Sequence, residues 1–265
     1  MIQLEQIQSF FPVLVRNHPK YMLKEYIQLM ILNYLSNTQY VRKMVFIGGT
    51  NLRLVKGIDR FSEDLDFDCK QMSDQDFTEM TDGILSFLQR AGWRVEAREK
   101  SGSKLAAFRR NIYFPELLFD LGLSGYHEER FLIKIESQDQ KVDYMPVMAN
   151  IKGCGFFFPF PVPPDDILCA MKLSALLARQ KGRDFYDVMF LLAQTAPNYS
   201  YLTQKWNIHH WAELKEALLK TLEKVDLQKK SQDFEHLLFE ANNHIKILLF
   251  KEFIMNNNEL SPSWM

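Results

Sequence analysis

The stretch Ile47-Gly48-Gly49-Thr50, followed by Arg60-Phe61-Ser62-Glu63-Asp64-Leu65-Asp66-Phe67-Asp68, decides how this chain is read. The apolar run 44–47 ending in paired glycines predicts a strand that closes in a tight turn. Thr50 is placed to cap a short helix over 51–56, which Gly57 stops. Acidic and apolar residues then alternate, as on a half-buried strand, so Asp64 and Asp66 share a face while Leu65 points into the core. Asp68 continues that face.

Two ionised carboxylates about 4 Å apart repel by about 4 kcal/mol at an effective dielectric of 20. A proton or a cation must relieve this. Magnesium suits the task, being hard and oxygen-seeking and commonly held by one or two carboxylates plus substrate phosphates; manganese is the alternative ion. An exposed strand face is often acidic without function, but here a Gly-Gly-Thr turn precedes it. Glycines let the backbone approach a ligand closely, and a helix start offers amides to an anion. Together the two features point to phosphoryl or nucleotidyl transfer. Lys134-Ile135-Glu136 adds a further acid on another strand, with Ile133 and Ile135 inward and Lys134 and Glu136 outward. Glu136 is the candidate third carboxylate of a two-metal site; a solvated Lys/Glu edge is the competing reading.

Working outward, helical spacing is expected over 21–35, and again from Ser73 to Arg90 with Phe77, Met80, Ile84 and Leu88 inward and a stop at Gly92. Strands are expected over 93–99, 105–114 and 131–136, with a further strand and turn in the Phe- and Gly-rich 145–160. The result is an α+β fold with a mixed sheet and flanking helices. Pro159-Phe160-Pro161-Val162-Pro163-Pro164 reads as a stiff connector. Beyond it helical period dominates, over 165–179, 184–193, 211–222 and 234–255, and Pro262 implies a frayed tail. The expected division is a mixed domain, 1–160, and a C-terminal helical domain, 161–265.

The helical domain supplies cations. On one continuous helix Lys172, Arg179 and Arg183 fall within about 20° of a line, although Gly182 challenges that continuity. Such a stripe past a proline hinge would suit a nucleotide cleft between domains. Asp184 could orient Arg183 or act as a base, and Arg183 with Asp187, one turn apart, could form a simple exposed ion pair. His209-His210 reads as a packed loop, while Lys141, Lys229 and Lys230 are solvated charges.

Bulk properties set the bounds. With 265 residues, 47% hydrophobic and 21 Phe, the chain can bury an ample core. The balance of 32 basic and 33 acidic residues gives no global positive field, so any polyanion site must be local. Cys69, Cys154 and Cys169 are scattered and lack metal spacing, which suits a reducing cytoplasm. Glu5, Arg16, Lys20 and Lys24 interrupt any secretion signal, and the apolar run 26–35 is too short to cross a bilayer, so no membrane role is expected.

These blocks resemble the AbiEii/AbiGii group of the polymerase-beta-like nucleotidyltransferase superfamily. The group's Gly-Gly-Thr-x-Leu-Arg is matched by Gly48 to Arg53, and its Arg-Phe-Ser-Glu-Asp-x-Asp-Phe by Arg60 to Phe67. Its later block appears as Lys172, Ala175, Arg179, Arg183, Asp184, Tyr186 and Asp187. The resemblance implies a nucleotidyltransferase fold, an NTP and magnesium. Asp64, Asp66 and Glu136 would then be catalytic metal ligands, with Asp184 or Asp187 also needed for activity. The implied nucleotide contacts are Gly48, Gly49, Thr50, Ser62, Lys172, Arg179 and Arg183. Many members are toxins of type IV toxin–antitoxin or phage-defence pairs and some modify tRNA ends. RNA is therefore the implied acceptor and a cognate antitoxin the implied partner. The rival is a catalytically silent nucleotide- or partner-binding module on the same fold.

Overall fold

A computed structural model of the chain describes residues 3–98 and 108–257. They divide into two units, one holding the described residues of 3–57, 61–141 and 146–162 and the other those of 58–60, 142–145 and 163–257.

The first unit opens with α1 (Leu4–Ser9) and a 3-10 turn at Val13–Val15, then α2 (Pro19–Ser36). Proline suits the first position of α2, where its missing N–H would have no helical partner. Met22, Leu23, Ile27, Ile31 and Leu35 of α2 are fully buried. Two polar residues buried with them are satisfied: Glu25 accepts from Arg53 Nε at 2.8 Å, and Gln28 Nε2 donates to the Ser62 carbonyl at 3.2 Å.

Next come β1 (Met44–Ile47), α3 (Gly48–Leu54), β2 (Asp64–Cys69), α4 (Asp74–Arg90), β3 (Glu96–Arg98), β4 (Phe108–Phe114), α5 (Leu117–Asp120) and β5 (Phe131–Gln138). The strands form a mixed sheet in the order β1-β2-β5-β4-β3, in which β2 and β5 run parallel and every other pair antiparallel. Leu65 and Phe67 from β2, Ile112 and Phe114 from β4, and Ile133 and Ile135 from β5 bury the apolar side of the alternation. Helix α4 buries Phe77, Met80, Ile84 and Leu88 as its spacing predicts. Ser73 caps it, accepting from the Asp76 amide at 3.0 Å while the Asp76 carboxylate takes the Ser73 amide at 3.0 Å. Of the expected strands, residues 99 and 105–107 lie outside the described residues.

The strand and turn expected over 145–160 are present, but the connector expected over 159–164 is not. The stretch forms a hairpin, β6 (Val147–Gly153) and β7 (Phe156–Val162), so Pro159 and Pro161 belong to a strand and not to a connector. Being two apart, both place their missing N–H on one edge of β7, and β7 pairs with β6 alone. The alternate residues Phe158, Phe160 and Val162 are buried, with the Phe160 ring 6.0 Å from Phe46 and 6.1 Å from Phe67. Cys154 (φ +47°) and Gly155 (φ +83°) make the two-residue turn, whose positive φ angles match the twist of a tight hairpin.

The second unit is helical: α6 (Asp165–Arg179), α7 (Gly182–Leu192), α8 (Tyr199–Trp206), α9 (Trp211–Leu222), α10 (Leu227–Gln232) and α11 (Phe250–Asn256). Phe185 of α7 packs edge-on to Phe250 of α11 at 5.0 Å. The expected helix over 234–255 is broken. Leu238 is extended and bridges Arg60, the Phe239 amide donates to the Asp59 carbonyl at 3.2 Å, and a 3-10 segment at Ala241–Leu249 precedes α11. A tertiary strand contact has overridden the local period. Helices α8 and α10, which carry short and weak periodicity, are capped by the Asn198 and Asp226 side chains. Among the described residues no helix is long and apolar enough to cross a membrane.

Candidate active site

In the first unit the glycine turn is built directly against the acidic strand. Helix α3 begins at Gly48, not Asn51, and Gly48 has φ +84°. A Cβ there would lie 2.8 Å from the Asp66 Cβ and 2.9 Å from its Cγ, with the carboxylate oxygen closer still. Glycine is required for both its backbone angle and the space. Thr50 is not the cap. It is buried, and its hydroxyl donates to the Asp64 carbonyl at 2.5 Å, tying the turn to β2. Asn51 Nδ2 donates to the Phe46 carbonyl at 2.7 Å and fixes the same turn to β1.

Parallel pairing places Asp64 beside Lys134 and Asp66 beside Glu136. All four are partly exposed, while Leu65, Ile133 and Ile135 between them are buried. Asp64, Asp66 and Glu136 therefore occupy one face, as the alternation predicted. Asp68 leaves that group: it is fully buried and its Oδ1 accepts the Gln140 amide at 2.9 Å.

The acids already hold a cation. Lys134 Nζ lies 2.8 Å from Asp64 Oδ2 and 3.4 Å from Glu136 Oε2. Burial pushes its pKa down, but the hydrogen bond and charge of Asp64, with Glu136 and Asp66, outweigh burial and raise it. The other Glu136 oxygen, Oε1, accepts from Arg109, the residue opposite it on β4. Arg109 had no signal in the sequence, because strand register alone brings it to the site.

Among the described residues, no three His, Cys, Asp or Glu side chains converge on a single metal position. The donor set nevertheless suits a hard divalent ion. Asp64 and Asp66 offer neighbouring carboxylates on the strand that carries the glycine turn, and this cluster demonstrably draws positive charge.

In the second unit, Asp187 is fully buried and receives two cations. Arg60 grips it with both arms, Nε to Oδ1 and Nη2 to Oδ2 at 2.7 Å each, and Lys172 Nζ reaches Oδ2 at 2.9 Å. Burial pushes the Asp187 pKa up, but Arg60 and Lys172 together hold it below its ordinary value. Burial pushes Lys172 down, against the pull of Asp187. Beside them the Tyr186 hydroxyl donates to Asp59 at 2.7 Å, and burial and that carboxylate push its pKa up.

The expected cationic stripe is absent, because α6 ends at Arg179. Gln180 turns left-handed (φ +53°) and α7 restarts at Gly182, so Lys172, Arg179 and Arg183 do not share one helical line. Asp184 orients Arg179, not Arg183: Arg179 Nη2 donates to it at 2.7 Å and the Lys181 amide at 3.0 Å. Asp187 pairs with Arg60 and Lys172 instead of Arg183. Arg183 is partly exposed with no ion-pair partner among the described residues. Ser62 is buried and presents its carbonyl to Gln28.

The glycine turn is thus seated on the second carboxylate of the Asp-x-Asp strand, within a mixed five-stranded sheet. The family described as the nucleotidyl transferase AbiEii toxin of type IV toxin–antitoxin systems matches residues 31–260, and the chain belongs to it. That family implies a nucleotide substrate and an antitoxin partner. Among solved structures, the chain is similar to MenT4, a nucleotidyltransferase toxin from Mycobacterium tuberculosis H37Rv. The TM-score is 0.63 at 16% identity, covering 97% of this chain and 91% of that one. JHP933 from Helicobacter pylori is similar with a TM-score of 0.52 at 20% identity, covering 88% and 91%. No curated protein matches the chain in sequence.

Proposed function

We propose that this enzyme transfers a nucleoside monophosphate from an NTP to an acceptor hydroxyl in a magnesium-dependent reaction, with RNA, tRNA in particular, as acceptor. The acceptor hydroxyl loses its proton to solvent as its oxygen bonds to the α-phosphorus, the bond from that phosphorus to the α–β bridging oxygen breaks, and pyrophosphate leaves. The observation that carries this reading is Asp66, which touches the glycine turn and neighbours Glu136 across β2 and β5.

Asp64 and Asp66 would hold the ion, and Glu136 completes the acidic cluster. Bound magnesium, or manganese in its place, supplies the charge that offsets the triphosphate and acidifies the acceptor hydroxyl. The side-chain-free Gly48 and Gly49 let the nucleotide approach the backbone, and Thr50 keeps that turn in register with β2. In the second unit Lys172, Arg179 and Arg183 are the cations proposed for phosphate, Arg183 being the most available. Asp184 holds Arg179 in place. Catalysis is then largely positioning and charge neutralisation. A cytoplasmic setting agrees with three free cysteines.

The test is incubation of purified protein with total RNA and each labelled NTP in turn. Wild type should label RNA, and Asp66→Ala should not, with an unchanged circular-dichroism spectrum. Undiminished labelling by folded Asp66→Ala removes the metal role. Tight NTP binding with no labelled product in any fraction supports a silent binding module.

A further inference from the structure

We propose that the Lys134 ammonium fills the position a second divalent ion would take, so that the site accepts one metal ion, on Asp64 and Asp66. This rests on the metal-dependent reading above and assigns Lys134 as a positioning residue within it. In a two-metal site, a carboxylate from a neighbouring strand helps hold the second cation. Here that neighbour is Glu136, and both of its oxygens are committed to cations of the chain: Oε1 to Arg109 and Oε2 facing Lys134 at 3.4 Å. Lys134 also holds Asp64 Oδ2 at 2.8 Å, so its ammonium spans the gap between β2 and β5.

The placement is built into the fold. Lys134 pairs with Asp64, and Glu136 with Asp66, in the parallel register, and Ile133 and Ile135 anchor β5 from the buried side. The register fixes the face from which the Lys134 side chain leaves β5, and its contacts to Asp64 and Glu136 hold the ammonium there. The Lys134 ammonium already answers Asp64 and Glu136, so a second divalent ion would have to displace it or bind against like charge.

The test counts manganese ions bound per full-length chain by electron paramagnetic resonance of free manganese, using manganese alone as the probe. Wild type should bind one ion, lost in Asp66→Asn. Lys134→Met should open the second position and bind two, while Lys134→Arg, which keeps the charge, should stay at one. Two ions on wild type, or one on folded Lys134→Met, would overturn the role of Lys134. If Lys134→Met does not fold, the wild-type and Lys134→Arg counts decide, and two ions on either overturns it. Wild type that binds no manganese would instead defeat the metal reading itself and this inference with it, an outcome distinct from a count of two.

Discussion

Gly48 and Asp66 are in near contact: a methyl placed on the glycine would meet the Asp66 Cβ at 2.8 Å and its Cγ at 2.9 Å. Gly48→Ala must therefore move the carboxylate or the turn, in addition to forcing a side chain into φ +84°. The backbone effect alone is about 1–2 kcal/mol. Nucleotide transfer should be lost, with a drop in stability of at least that size. Gly57→Ala is the control: φ is +75° but the added methyl meets nothing within 4 Å, so it should destabilise by the backbone effect alone while keeping transfer. Thermal melts beside labelled-NTP assays separate the two effects.

Gly182 opens α7 against the backbone of α10, where a Cβ would overlap the Lys230 carbonyl and lie 2.9 Å from Phe234 Cδ1. Backbone cannot swing aside as a flexible side chain can. Gly182→Ala should cost at least about 1–3 kcal/mol, as overpacking does. A lowered urea midpoint at unchanged m-value is the expected result; an unaltered midpoint would show that α7 and α10 yield freely.

Asp187 balances two buried cations. Asp187→Asn leaves Arg60 and Lys172 without a counter-charge and should destabilise the protein by about 3–5 kcal/mol. Lys172→Met keeps the two-armed Arg60–Asp187 pair and should cost clearly less. Equal losses from the two variants in chemical denaturation would contradict this account of the triad.

Asp76 should carry a measurable acid response. The hydrogen bond from Lys43, then those from Ser73, pull its pKa from 3.8 to about 2. The folded state therefore releases this proton more readily than the unfolded one. Its stabilising contribution is present above 3.8 and is lost as pH falls toward about 2. NMR titration should place the Asp76 midpoint near the lower value, and Asp76→Asn should flatten the melting-temperature profile across that interval. Asp76 and Lys43 are both partly open to solvent, so high salt should weaken the effect.

Much of the first unit was legible because its signals are local. Alternation at 64–68 and 131–136 places Asp64 with Asp66, and Lys134 with Glu136, each on one face of its own strand; the parallel register then brings the two pairs together. Ser73 with Asp76 marks the start of α4, and both α6 and α9 end where their periods end. What was misread depended on distant partners. Prolines 159 and 161 look like a linker until β6 is seen to pair with the other edge of β7. The 234–255 period looks helical until Leu238 bridges Arg60. Arg183 lines up with Lys172 and Arg179 until the left-handed Gln180 ends α6 and α7 restarts at Gly182.

By itself the sequence determined the residue chemistry: which side chains can carry charge, which positions demand glycine, and which faces of strands and helices must be buried. These follow from the periods of strand and helix and from the absent Cβ of glycine. Tertiary structure alone decided which charge answers which, setting Lys134 between Asp64 and Glu136, Arg109 on Glu136, and Arg60 with Lys172 on Asp187. Ion pairing depends on distance and burial between residues far apart in the chain, and those quantities exist only once strand register and helix packing have been set.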